Sequence, residues 1–172
     1  MAEELLDYVD DNDNVLGQIL RSEIDKKGLT GRIAGVLVFN SKGDILLCKE
    51  AAHKASGGKW KFSAIGHITS GDSPELSAVR EAKEEIGIEI NVEKLEKISF
   101  FKHIRKDGKG SRIVHIFKTI YDGEFSIDKA EFSECQFMAP QQIDSYMRYQ
   151  QEMFSGGFIS FWKNYRKDTV NK

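Results

Sequence analysis

The spacing of apolar positions changes several times along the chain, and each change predicts an element. Leu5 to Val9 and Val15 to Leu20 are short apolar runs around Asp10-Asp11-Asn12-Asp13-Asn14, an Asx-rich cluster that favours a turn. They predict a β-hairpin. Ser22 to Gly28 is a polar connector with room for a helical turn. Ile33 to Asn40 reads as a buried strand, Ser41 to Asp44 as a turn and Ile45 to Cys48 as the return strand. Lys49 to Lys59 is a polar, glycine-containing loop. Trp60 to Ile65 follows, with Trp60 and Phe62 expected in the core.

At Gly66 to Ile88 the period becomes helical. Ser73 suits an N-cap, Pro74 the first turn and Gly87 a left-handed stop. Leu76, Val79, Ala82 and Ile86 fall on one side of this helix, and Glu81, Glu84 and Glu85 gather on the other. Beyond it, Ile88 to Val92 reads as a strand. Ile98 to Ile104 and Ile113 to Tyr121 form a long hairpin around a basic tip, residues 105–110. Gln136 to Ala139 reads as a last short strand. Gln141 to Phe154 and Phe158 to Lys167 read as helices, the second with aromatic residues packed on the sheet.

Length and composition narrow the class. No repeat or linker divides the 172 residues, so the expectation is one domain, with residues 1–30 as an N-terminal hairpin extension and 140–172 as a C-terminal helical segment. A net charge of −2 gives no electrostatic case for a nucleic-acid duplex or an anionic membrane. No apolar run approaches the length of a membrane span, and the acidic N-terminus lacks a signal pattern, so a cytoplasmic location is expected. Cys48 and Cys135 lie far apart, and the expectation is two buried thiols in a reducing compartment.

Chemistry concentrates in the glutamates. Three like charges on adjacent turns cost a few tenths of a kcal/mol per pair. A hard divalent cation would remove that cost, since Mg²⁺ prefers carboxylate oxygen. Arg80, four residues before Glu84, can hold one carboxylate in place. Spacing alone is equally met by a solvated acidic face.

The stretch resembles the Nudix box: Gly66, then Arg80-Glu81, Glu84-Glu85, Gly87 and Ile88 in register, with Asp72 in place of the first glutamate. The resemblance implies an α/β class fold, a Nudix α/β/α sandwich with a mixed β-sheet. It also implies Mg²⁺- or Mn²⁺-dependent hydrolysis of a nucleoside diphosphate linkage. By the same resemblance, Glu84 and Glu85 are the main metal ligands, and Glu81 is a further ligand or the base. The Gly66 carbonyl is a backbone ligand, and Glu131 or Glu134 an added carboxylate from outside the box. Arg80 orients the others. His67, Lys54 and Arg32 are the candidate substrate contacts, and the basic tip is a possible phosphate-binding lid. The partner is a small diphosphate, with a homodimer possible.

From Leu6 to about Pro140 the chain also resembles the branch related to isopentenyl-diphosphate isomerase. Asp7-Tyr8-Val9-Asp10, Val15-Leu16-Gly17, Gly31-Arg32 and Trp60 to His67 carry that likeness. Where the isomerases have a catalytic cysteine, this chain has Ile65. Where they have a metal-binding histidine, it has Gly31. An isoleucine cannot exchange a proton, so hydrolysis is the expected activity. A nucleotide sensor, the non-enzymatic alternative, would ordinarily have lost box carboxylates.

Overall fold

The computed structural model describes residues 3–105 and 108–170, with side chains to Lys167. The chain opens with the expected hairpin, β1 (Leu5–Val9) and β2 (Val15–Leu20), then a single helical turn, α1 (Arg21–Ile24). β3 (Gly31–Phe39), β4 (Ile45–Glu50), β5 (Trp60–Lys61) and β6 (Ala64–His67) lead to α2 (Pro74–Ile86). β7 (Glu96–Ile104), β8 (Ser111–Ile120) and β9 (Phe132–Met138) follow. Two helices, α3 (Pro140–Tyr149) and α4 (Gly156–Val170), come last.

β3 is the centre of the mixed sheet. It runs parallel to β8 over its whole length and antiparallel to β6 and then β4. Its apolar side chains feed both faces, which is why it reads as one continuous run. Val36 and Val38 share a core cluster with Ala82 and Ile86 of α2, whereas Leu37 belongs to a second one with Ile143 of α3 and Phe158, Phe161 and Trp162 of α4. The sheet is thus covered on both sides. Among the described residues no helix is long and apolar enough to cross a membrane.

The N-terminal hairpin is locked onto the loop before α2. Buried Asp7 accepts from Ser70 Oγ at 2.6 Å and from the Gly71 amide at 3.3 Å. Glu4 accepts from Thr69 Oγ1 at 3.0 Å. On the hairpin itself, Gly17 is bare where Tyr8 crosses, since an added Cβ would lie 2.7 Å from the ring.

Several expectations need correction. Leu76 is 53% exposed, and the buried face of α2 is instead Ser77, Ala78, Glu81, Ala82, Glu85 and Ile86. Two of the three glutamates therefore lie on the packed side. Residues 88–92 form no strand; Ile88 drops into the core and a 3₁₀ turn, Val92–Lys94, follows. β9 begins at Phe132 because it pairs along all of β4. α3 stops at Tyr149, so that Phe154 can enter the core beside Trp60. Gly156-Gly157 opens α4 rather than separating two helices.

The two cysteines are also corrected. Cys48 and Cys135 are register partners across β4 and β9, and they form a disulfide with Cα atoms 4.0 Å apart. Their separation of 87 residues hid this. Strand pairing erases sequence distance, and directly opposed Cβ atoms lie within bridging range.

Candidate active site

The loop and helix at Gly66 to Ile88 are built by local signals. Ser73 Oγ accepts from the Leu76 amide at 3.2 Å, Pro74 occupies the first turn, and Gly87 stops the helix at φ 67°. The Gly87 amide bonds the Ala82 and Lys83 carbonyls, as a left-handed C-cap does. This places α2 with its glutamates against β6.

Glu81, Glu84 and Glu85 all line one cleft of about 950 Å³. Glu81 presses on Gly66, where an added Cβ would sit 2.2 Å from its carboxylate. Glu85 reaches further along β6, and its Oε2 accepts from the Ile65 amide at 2.9 Å. Glu84 stands at the mouth, with its side chain 59% exposed. Arg80 bridges two of them, with Nη1 2.8 Å from Glu81 Oε1 and 3.2 Å from Glu84 Oε2. Its Nη2 donates to the His67 carbonyl at 2.9 Å, so it ties α2 to the end of β6.

Burial shapes the titration of these groups. It pushes the Glu85 carboxyl up to about 7, against the opposing pull of Lys61 and the Ile65 amide. Glu81 is raised for the same reason, with Arg80 opposing. Burial also pulls His67 down to about 4, helped by Arg21 and Arg112, so its imidazole is neutral near pH 7. His67 Nε2 is buried with no hydrogen-bond partner among the described residues.

The residues outside the box divide. Lys54 and Glu131 line the cleft and pair with each other. Glu134 does not line it; on β9 it faces Lys49 at 3.9 Å, with its side chain 51% exposed. Arg32 is corrected. It alternates to the other face of β3 and binds Asp13 with two bonds, of 2.8 and 3.0 Å. Asp13, at φ 67°, also lies 3.0 Å from His115 Nε2, off the line of a hydrogen bond. Arg105, from the basic tip, reaches the cleft, whereas Lys106 and Asp107 lie outside the described residues.

Sequence reasoning missed other lining residues, among them Glu50, Lys61, Asp128 and Arg112. Glu50 holds Lys61 Nζ at 2.9 Å and the Ser56 amide at 2.6 Å. Strand alternation could have aimed Arg112 and Lys61 at one face, but not at this cleft.

These residues fit a divalent cation. The donors are hard oxygens, two of the carboxylates are held near-buried, and the space a Cβ would take at Gly66 is filled by the Glu81 carboxylate. Among the described residues no three acidic, imidazole or thiol groups already converge as a closed ligand set. Arg80 is the cation lodged between Glu81 and Glu84.

A family model, the NUDIX domain, matches residues 29–159. An uncharacterised Nudix hydrolase of Pseudomonas aeruginosa is 33% identical over 140 residues, covering 80% of each chain. An isopentenyl-diphosphate Delta-isomerase of Photorhabdus laumondii is 31% identical over 137 residues, covering 79% of this chain and 77% of that one. Among solved structures, DR0079 from Deinococcus radiodurans superimposes with a TM-score of 0.76 at 21% identity, covering 94% of this chain and 98% of that one. A MutT protein from Methanosarcina mazei gives 0.67 at 16% identity, covering 81% and 95%. By its box, its fold and these matches, the chain belongs to the Nudix family.

Proposed function

We propose that the protein is a Mg²⁺- or Mn²⁺-dependent hydrolase of a diphosphate linkage, in a nucleoside di- or triphosphate or a nucleoside diphosphate joined to another moiety. The observation that carries this reading is the convergence of all three box glutamates on one cleft, with Glu81 seated on Gly66. Glu84 and Glu85, with Glu81 and the Gly66 carbonyl, would hold the cation, and Glu131 is the outer carboxylate placed to join them. When bound, the cation supplies neutralisation of the diphosphate charge and a lowered pKa for the attacking water.

The chain's own groups do the rest. Arg80 orients Glu81 and Glu84 and anchors them to β6. Glu81 is a further ligand or, in its place, the base, and burial raises its proton affinity above that of a free carboxylate. Neutral His67 and Lys54 line the same cleft and are the candidate substrate contacts.

The isomerase-named relatives favour a second reading, rearrangement of a C5 diphosphate. That chemistry needs a proton donor and acceptor across the substrate. Ile65 lines the cleft at the cysteine position and supplies neither. A Mg²⁺-dependent screen of nucleoside triphosphates, nucleotide sugars, dinucleotide polyphosphates and isopentenyl diphosphate, with products weighed, decides. Phosphate or nucleotide release supports hydrolysis. Dimethylallyl diphosphate as the sole product overturns it, and the absence of turnover on every class leaves the sensor.

A further inference from the structure

Besides Arg80, the guanidiniums of Arg21, Arg105 and Arg112 line the cleft. Arg112 is the most buried of these, with its side chain 7% exposed. A buried cation is costly unless charge and hydrogen bonds surround it. Asp25, just past α1, supplies the charge. One of its oxygens takes Arg112 Nη2, and the other takes Arg105 Nη1 at 2.8 Å. Arg112 Nη1 donates to the Ser111 carbonyl at 2.9 Å. Among the described residues these bonds use two of the five N–H donors of a guanidinium.

The arginine stem lies beside a bare stretch of β3. Gly31 and Arg112 are register partners of β3 and β8. A Cβ at Gly31 would lie 2.8 Å from Ile24 Cδ1, 3.4 Å from Arg112 Cδ and 3.5 Å from Arg112 Nε. A bare glycine therefore leaves room for Ile24 of α1, and the arginine stem passes it at ordinary van der Waals distance. Arg21, held by Glu4 at 2.9 Å, lines the same cleft. Arg21 and Arg112 share this cleft with His67 and Gly66 of the box.

We propose that Arg112, set in place by Asp25 and the Ser111 carbonyl, is an anion subsite that binds a phosphate of the substrate other than the one attacked at the carboxylates. A planar guanidinium matches two phosphate oxygens at once, and a near-buried one does so with little screening. A cleft lined both by the box carboxylates and by three further guanidiniums suits a substrate with anionic groups at two places. The class is then a diphosphate carrying a further phosphate, terminal or elsewhere, over one joining two neutral groups. This choice of substrate rests on the hydrolase reading, whereas the anion subsite itself does not.

The experiment keeps the two apart. Inorganic tripolyphosphate is titrated in EDTA, without divalent cation, against wild type, Arg112→Lys and Arg112→Gln, with melting temperature as the readout. Wild type is expected to be stabilised, Arg112→Lys to bind about 10-fold more weakly, and Arg112→Gln to lose the effect. If Arg112→Gln does not fold, Arg112→Lys, which keeps a cation for Asp25, decides. No stabilisation of wild type, or equal affinity in Arg112→Lys, overturns the subsite.

With Mg²⁺, Arg112→Lys should raise KM about 10-fold for diphosphates bearing a further phosphate. KM for a neutral-ended nucleotide sugar should stay within about 2-fold, with kcat little changed on both. Substrates with a terminal phosphate and with a separate phosphomonoester distinguish the two sources. An equal loss on charged and neutral-ended substrates marks a merely structural ion pair and overturns the proposal. If no substrate turns over, the hydrolase reading fails, while the titration in EDTA still decides the subsite.

Discussion

Glu85 is fastened to the backbone of Ile65: its Oε2 accepts the Ile65 amide at 2.9 Å, twenty residues back along the chain. The bond runs from α2 to β6, so the helix cannot slide without losing it. A buried carboxylate held by one backbone donor and facing Lys61 is placed, not merely present. Glu84, on the same helix, pairs with Arg80 at the cleft mouth.

The two glutamates should therefore both matter for turnover and differ in stability. Glu84→Gln and Glu85→Gln are each expected to lower kcat by about two to four orders of magnitude at saturating Mg²⁺. Glu84→Gln should leave the melting temperature near wild type. Steady-state kinetics with circular-dichroism melts tests this, and near-normal turnover in both variants removes them from the mechanism.

Gly66 should tolerate no side chain. In Gly66→Ala the new methyl would meet the Glu81 carboxylate at 2.2 Å, so that carboxylate must move. A loss of about 100-fold in kcat/KM is expected, on the scale of misplaced catalytic groups. Gly43→Ala, at a turn with nothing within 4 Å, is the comparison that reports only backbone strain, since its φ is 86°. Equal kinetics for wild type and Gly66→Ala would show that Glu81 has room to spare.

Stability without metal should depend on pH in a signed way. The Glu85 pKa is raised from 4.5 to about 7, so the folded state holds its proton more tightly. Its contribution is fully present below about 4.5 and is lost as pH rises through about 7. His67 runs the other way. Its pKa is lowered from 6.5 to about 4, so its contribution is present above 6.5 and lost as pH falls through about 4. Comparison with Glu85→Gln isolates the first. In EDTA, wild type should lose about 3 kcal/mol relative to the variant between pH 4.5 and 8. Urea denaturation at both pH values measures it, and a pH-independent difference refutes the burial of this carboxyl.

The Cys48–Cys135 disulfide closes a loop across β4 and β9. Chain entropy assigns such a loop about 4.6 kcal/mol as an upper bound, before any strain in the folded state. Reduction, or Cys48→Ala with Cys135→Ala, should lower stability by about 2–4 kcal/mol. Mass shift on alkylation, before and after reduction, shows whether the bond is present. Free thiols in the native oxidised protein would contradict the pairing.

Chain-local signals were readable without coordinates. The Ser73 cap, the Pro74 start and the Gly87 stop depend on groups within a few residues of each other, and the helix formed where they predict. The hairpin at the N-terminus and the two-faced burial of β3 followed from turn residues and apolar runs. The box spacing placed three glutamates on one helix, and the Nudix family and fold were legible in that stretch.

What needed tertiary structure was every relation set by pairing between distant segments. Glu131 reaches the cleft while Glu134 turns to Lys49, a difference made by where β9 meets β4. Arg32 is spent on Asp13 because side chains alternate along β3, and Arg112 takes a place in the cleft from β8. Leu76 stays in water because α2 turns Ala78 and Ala82 to the sheet, carrying Glu81 and Glu85 inward with them. Caps and turns are decided by a few neighbouring residues, whereas register and facing are decided by which strands meet. The amino-acid order alone determined the parts and the chemistry they carry, and only packing decided which of them share a cleft.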